Sequence, residues 1–222
     1  MHQPTPQPKR YVIGISGASG ALYASRVIRL LLDLGHEVHL VVTPPGARLL
    51  HDELGMEGVN LPALIGATSP DDPRLARIIR YNHRDIGAAI ASGSFRHEGM
   101  AVVPCSGHTL NAIACGLGDN LLTRAAACAL KERRRLVIAH RETPLTLIDI
   151  EHMRTLTLAG AVICPTNPGF YLLPKTIDDV VDFIAGKILD LLGVEHGLST
   201  RWEDHAEAEN PPLDSASELD RT

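Results

Sequence analysis

Short runs of β-branched and aliphatic residues alternate with longer stretches of helical period along most of this chain. Residues 11–16 (YVIGIS) read as a first strand and end in the small-residue turn Gly17-Ala18-Ser19-Gly20. An apolar helical pattern covers 21–34, and Gly35 closes it. Residues 37–42 (EVHLVV) read as a second strand, stopped by Thr43-Pro44-Pro45-Gly46, with a helix over 47–54. A right-handed parallel pair is the default for such a βαβα start. Residues 55–98 hold many Gly, Pro, Asp and Asn and predict one short strand near 78–81. An excursion of that length is often functional or an oligomer contact. Regular alternation then returns: strand 100–103, helices from about Thr109 and Asn120, strand 136–139, a helix within 147–158 and strand 161–164. A last helix starts after Thr176, with Asp178 and Asp179 in its first turn, and ends at Gly193. The pattern predicts a single-domain α/β fold: a doubly wound parallel sheet in a three-layer sandwich, Rossmann-like or flavodoxin-like.

Length and charge narrow this picture. The chain has 222 residues, enough for one sizeable domain. Its formal net charge of -5 is concentrated in the last twenty residues. There Glu203, Asp204, Glu207, Glu209, Asp214, Glu218 and Asp220 face Arg221 alone. The body is therefore close to neutral, which argues against a nucleic-acid surface. We expect a flexible lead-in over 1–9, a folded domain over 10–202 and an acidic, disordered tail over 203–222. The N-terminus is polar and proline-rich, and no apolar run approaches spanning length. None of the four cysteines forms a CxxC, which fits reduced thiols in a cytoplasmic protein.

The candidate chemistry lies at predicted strand ends. The turn at 17–20 lets a backbone approach a ligand at a helix N-terminus, or it is a tight packing turn. It matches neither GxGxxG nor a P-loop. Asn120, Arg124, Ala127 and Lys131 form one helical stripe, which reads equally as a solvated face. Arg141-Glu142 follows a strand directly, and an arginine fork suits phosphate. Thr143-Pro144 behind it reads as a helix cap and first residue. Phe170-Tyr171 sits in a Pro/Gly-rich turn that covers an apolar ligand, the core or a subunit interface. Lys187 flanks an apolar helix stripe and by itself reads as a surface lysine. Cys105, His108 and Cys115 lack a fourth ligand at zinc spacing, so no metal is expected.

Taken in order, these blocks resemble the UbiX-type flavin prenyltransferases over nearly all of 10–202. The resemblance rests on SGASG at 16–20, ASGS at 91–94, PCS at 104–106, DNL at 119–121, RAA at 124–126, LKER at 130–133, RETP at 141–144, GAVI at 160–163 and GFY at 169–171. It implies a metal-independent transferase that joins a dimethylallyl group, usually from dimethylallyl phosphate, to N5 and C6 of reduced FMN. The prenylated FMN would serve a UbiD-type decarboxylase, and the enzyme would be a dodecamer with sites between subunits. FMN contacts would fall on Gly17, Ala18, Ser19, Thr43, Ser106, Gly107, His108, Thr109 and Arg141. Arg124, Lys131, Tyr171 and Lys187 would hold the prenyl phosphate. Ser19, Glu53, Lys131, Glu142 and Tyr171 match catalytic positions. Relatives commonly carry Asp where Ala127 stands and Arg where Lys187 stands, and some carry Trp near Ile86. The competing readings are an FMN-dependent cysteine decarboxylase of the same superfamily and a non-catalytic flavin-binding subunit of a decarboxylase complex.

Overall fold

A computed structural model describes residues 8–200. Most of the expected lead-in and the whole acidic tail lie outside the described residues. Strands β1 (Arg10–Ile15), β2 (Glu37–Val42), β3 (Ile78–Tyr81), β4 (Gly99–Cys105), β5 (Arg135–His140) and β6 (Val162–Ile163) form one sheet. Every pairing is parallel, in the order β3-β2-β1-β4-β5-β6. Successive strands are therefore added in one direction from β1 to β3 and in the other from β4 to β6, and the β1–β4 boundary is the switch point where such sheets open a crevice at their carboxyl ends.

Helices cover both faces, which is why the strands read as continuous apolar runs. On one side α1 (Ala21–Asp33), α2 (Pro44–Leu54), α3 (Leu61–Ile65) and α7 (Ile177–Leu192) bury Tyr11, Ile13, Ile15, Val27, Leu31, Ile184 and Ile188 in a first core. On the other, α4 (Gly107–Ala114), α5 (Leu121–Lys131) and α6 (Leu147–Ala159) bury Val12, Val102, Leu110, Leu122, Ala126 and Ile138 in a second. Alternation along β1 assigns odd residues to the first core and Val12 to the second. Each such aliphatic side chain contributes about 1.5–3 kcal/mol by leaving water. Arg26 on α1 and Asp182 on α7 form a two-pronged ion pair, 2.5 and 3.0 Å, that fixes the two helices against each other.

Three boundary expectations are corrected. Helix α2 begins at Pro44, not at residue 47: the Thr43 hydroxyl caps it by accepting from Gly46 N–H at 3.1 Å. Prolines at the first two helical positions lose no hydrogen bond, because those N–H groups have no helical partner. Thr143-Pro144 is not a cap. Thr146 caps α6, and Asp149 reaches back to complete a capping box. The excursion also contains α3 and two single 3-10 turns, Pro73–Arg77 and Ala89–Ala91, beside the expected strand.

Candidate flavin and prenyl-phosphate site

The carboxyl ends of β1, β2 and β4 meet around a cleft of about 290 Å³. Gly17, Thr43, Ser106, His108 and Thr109, five of the expected flavin contacts, line it together with Pro44, Pro45, His83, Asn120 and Thr123. Small side chains are required here. A Cβ on Gly17 would overlap Cβ of Pro45, so only glycine lets β1 turn past the start of α2. Ser16, buried beneath the floor, donates to the Pro104 carbonyl at 3.0 Å and accepts from Ser106 N–H at 2.8 Å. It ties β1 to β4. Ser106 caps α4 by accepting from Thr109 N–H at 3.3 Å. The open N-terminus of α4, with Gly107 and His108 in its first turn, thus points its dipole toward the cleft wall.

A second group sits at the entry to α1. Gly20, with φ of 126°, has no side chain with which to cap that helix. Glu53 from α2 does so instead, accepting from Gly20 N–H at 3.0 Å and Ala21 N–H at 2.8 Å. Burial opposes its charge, but hydrogen bonds from Ser19, Ala21 and Gly20 and the nearby Arg141 hold its carboxyl below the usual carboxylate range. Ser19, Glu53 and Arg141 therefore stand together, next to Gly17 and the buried Ala18. Arg141 follows β5, anchored by its N–H to the Cys105 carbonyl at 3.2 Å. Its Nε is buried without a partner among the described residues, which leaves a donor for a ligand at this strand end. This orphaned donor, the Gly17 cradle and the α4 N-terminus fit an anionic flavin nucleotide.

The expected phosphate holders do not join that cleft within one chain. Arg124 and Lys131 line a separate groove of about 190 Å³ with Ala91, Gly116, Gly118, Ala127 and Cys128. Both cations are exposed, and Lys131 is 3.7 Å from Glu132. Their stripe faces a concave surface that periodicity alone did not distinguish from an ordinary solvated face. Tyr171 is half exposed and packs edge-on against Phe183 of α7, with 5.9 Å between ring centres. Lys187 is exposed on α7, near enough to Cys164 to act on its thiol. Glu142 is exposed and accepts from Thr143 N–H at 3.1 Å.

Asn120, Thr123 and His83 were missed as lining residues. Asn120 read as part of the stripe with Arg124 and Lys131, whereas it caps α5 by accepting from Thr123 N–H at 3.1 Å, and Thr123 was not singled out. His83 carried a signal: it follows the carboxyl end of a strand in the same sheet, and its carbonyl accepts from Leu121 N–H at 2.8 Å. Among the described residues no cluster of His, Cys, Asp and Glu is arranged to hold a metal ion, and Cys105 is fully buried with its thiol pushed up by burial.

Fold and cleft together define a doubly wound domain of the flavin-nucleotide-binding class. The Flavoprotein family model matches residues 2–189. The flavin prenyltransferase UbiX of Halalkalibacterium halodurans is 45% identical over 192 residues, covering 86% of this chain and 92% of that protein. A solved structure of AnUbiX (PadA1) in complex with FMN and dimethylallyl pyrophosphate is 38% identical, with a TM-score of 0.76 over 86% of this chain and 98% of that one. A dodecameric FMN-dependent UbiX-like decarboxylase from Escherichia coli is 35% identical, with a TM-score of 0.76 over 87% and 98%. The chain belongs to the Flavoprotein family, and within it to the UbiX flavin prenyltransferases.

Proposed function

We propose that this protein is a flavin prenyltransferase that joins a dimethylallyl group from dimethylallyl phosphate to N5 and C6 of reduced FMN. Its product would serve a UbiD-type decarboxylase. The observation that carries the reading is the Ser19–Glu53–Arg141 group beside a cleft lined by Gly17 and the α4 N-terminus. Ser106, Gly107, His108, Thr109 and Thr43 would hold the FMN phosphate and ribityl chain, and Arg141 would face the ring with Gly17 and Ala18. Reduced FMN supplies the two nucleophilic ring positions when bound.

Breaking an allylic C–O bond leaves phosphate and a delocalised cation. Fixed cations on the departing anion lower that barrier. Arg124, Lys131 and Lys187 are the cations assigned to it, with Tyr171 and Glu142 orienting or protonating the phosphate. The bond to N5 would consume the allylic cation and release the N5 proton to the phosphate. Closure at C6 would then add across the remaining prenyl double bond, which gains a proton from the phosphate as C6 loses its ring proton. Ser19 would take it while passing its own to Glu53, which is ionised and already accepts from Ser19.

The phosphate holders lie apart from the cleft in one chain, so neighbouring copies would bring them together. The exposed Leu147, Ile148 and Leu158 on α6 and Phe170 and Leu173 beyond it are apolar surface for such contacts. The dodecameric relative fits this arrangement. No helix among the described residues is long and apolar enough to cross a membrane.

The test is incubation of purified protein with reduced FMN and dimethylallyl phosphate, with the diphosphate run in parallel. A flavin mass gain of one prenyl unit supports the reading. A protein that binds FMN and never yields that mass refutes it. Co-refolding Arg124→Ala/Lys131→Ala copies with Tyr171→Phe/Lys187→Ala copies tests the shared site. Mixed oligomers should recover part of the activity that each variant lacks alone.

A further inference from the structure

Away from the cleft, a row of side chains joins the carboxyl end of α4 to α6. Cys115 is the exposed C-cap of α4. Its Sγ lies 3.7 Å from Nε2 of His152 on α6. His152 Nδ1 is 2.8 Å from Oδ1 of Asn111, one turn back along α4. Asn111 Nδ2 donates to Oδ1 of the buried Asp149 at 3.3 Å.

This row has a direction. The Asn111 amide N–H₂ is spent on a carboxylate, so its oxygen faces His152 and accepts from Nδ1–H. Nε2 is then an acceptor directed at the Cys115 thiol. Thiol, imidazole and amide in that order make a relay that activates a nucleophile. The carbonyl end of α4 gives an anion no help, so removal of the thiol proton rests on His152. The other three cysteines, Cys105, Cys128 and Cys164, are buried. Burial pushes the Cys105 and Cys164 thiols up.

We propose that Cys115 is the nucleophile of a Cys–His–Asn relay and a modification site for small soft electrophiles, hydroperoxides in particular. In the step, the Cys115 proton passes to His152 Nε2 as sulfur attacks the outer oxygen of the peroxide. An S–O bond forms and the O–O bond breaks. His152 returns the proton to the departing oxygen, leaving a sulfenic acid and water or an alcohol. Sulfur is oxidised and the peroxide reduced. The inference stands independently of the prenyl-transfer reading.

The experiment is timed alkylation of the full-length oligomer with iodoacetamide, followed by peptide mass spectrometry. Cys115 should react first, and its rate should fall roughly tenfold or more in His152→Gln. Asn111→Ala, which leaves the imidazole free to take its other tautomer, should fall between the two. Hydrogen peroxide with a sulfenic-acid trap should follow the same order, with circular dichroism confirming the fold of each variant. Equal rates in wild type and His152→Gln would reduce Cys115 to a merely exposed thiol and overturn the proposal. So would a Cys115 that stays unlabelled in the native oligomer and reacts only after unfolding.

Discussion

At the carboxyl ends of β1, β2 and β4 the chain places Gly17, Thr43 and Ser106, whereas around their amino ends stand Arg10, Glu37, His39, Phe95 and His97. The first set leaves donors for a ligand: the α4 N-terminus and Arg141 Nε. In the second set Arg10, Glu37 and His39 spend their polar groups on one another and on Tyr81, and His97 Nδ1 alone of that set is buried without a partner among the described residues. Glu37 bridges Arg10 at 3.2 Å and His39 at 2.6 Å, and His39 Nδ1 meets the Tyr81 hydroxyl at 2.9 Å. Phe95 lies edge-on to His39 and beneath the Arg10 guanidinium. Arg134 clamps the Phe95 and Gly93 carbonyls. One end of the sheet is thus an unfilled polar surface and the other a closed plug. Activity and stability should respond to them separately.

The largest effect belongs to the open end. Glu53→Gln keeps an oxygen to accept from Gly20 and Ala21 but gives up the carboxylate base. The rate of cyclised product should fall roughly 100-fold or more, read by flavin mass spectrometry. FMN binding and the thermal midpoint should stay near wild type. A variant that still makes cyclised product at full rate removes Glu53 from the chemistry.

At the closed end, Phe95→Ala should cost about 2 kcal/mol, since a half-buried ring is lost. Denaturant unfolding measures that loss, and FMN affinity should hold within about twofold. An equal loss of affinity would mean that the two ends are mechanically coupled.

Acid separates them by a smaller amount. Burial pushes His97 down to about 4. In the unfolded chain the imidazole takes up its proton near 6.5. Stability is therefore full above that pH and declines as pH falls toward 4, by on the order of 1–2 kcal/mol. His97→Gln should flatten this slope. The Glu53 carboxyl is held low, so its contribution is present above the ordinary carboxylate range and is lost only at lower pH. Unfolding midpoints between pH 7 and roughly 4 should change slope in His97→Gln and not in Glu53→Gln.

Much of the open end was legible in the sequence because strand-end chemistry is local. A β-branched run followed by Gly17-Ala18-Ser19-Gly20 specifies a strand, a turn and a helix start within ten residues. The closed end was not legible, since His39, Tyr81 and the Phe95–His97 pair come from three separate segments and meet only through the β2–β3 register and the return into β4. The same limit hid the reach of Glu53 to the α1 N-terminus, a contact 32 residues long. The capping role of Thr43 was missed for a different reason. Pro44-Pro45-Gly46 carries the composition of a strand stop, and only the cap geometry shows it opening α2.

The smallest predicted effect sharpens the contrast most, because it belongs to both accounts. Ser106 caps α4, so Ser106→Ala should cost about 1 kcal/mol of stability. Its hydroxyl also lies 3.4 Å from Ser16 and 3.2 Å from Thr109 Oγ1, within the floor of the cleft. Without it the first N–H groups of α4 lose their fixed direction, and FMN affinity should drop about five- to tenfold. Riboflavin, which lacks the phosphate, should bind both forms alike. Fluorescence titration with the two ligands reads the difference. A matching loss for riboflavin would move the phosphate away from α4 and would leave Ser106 with a structural role alone, like that of the residues at the closed end.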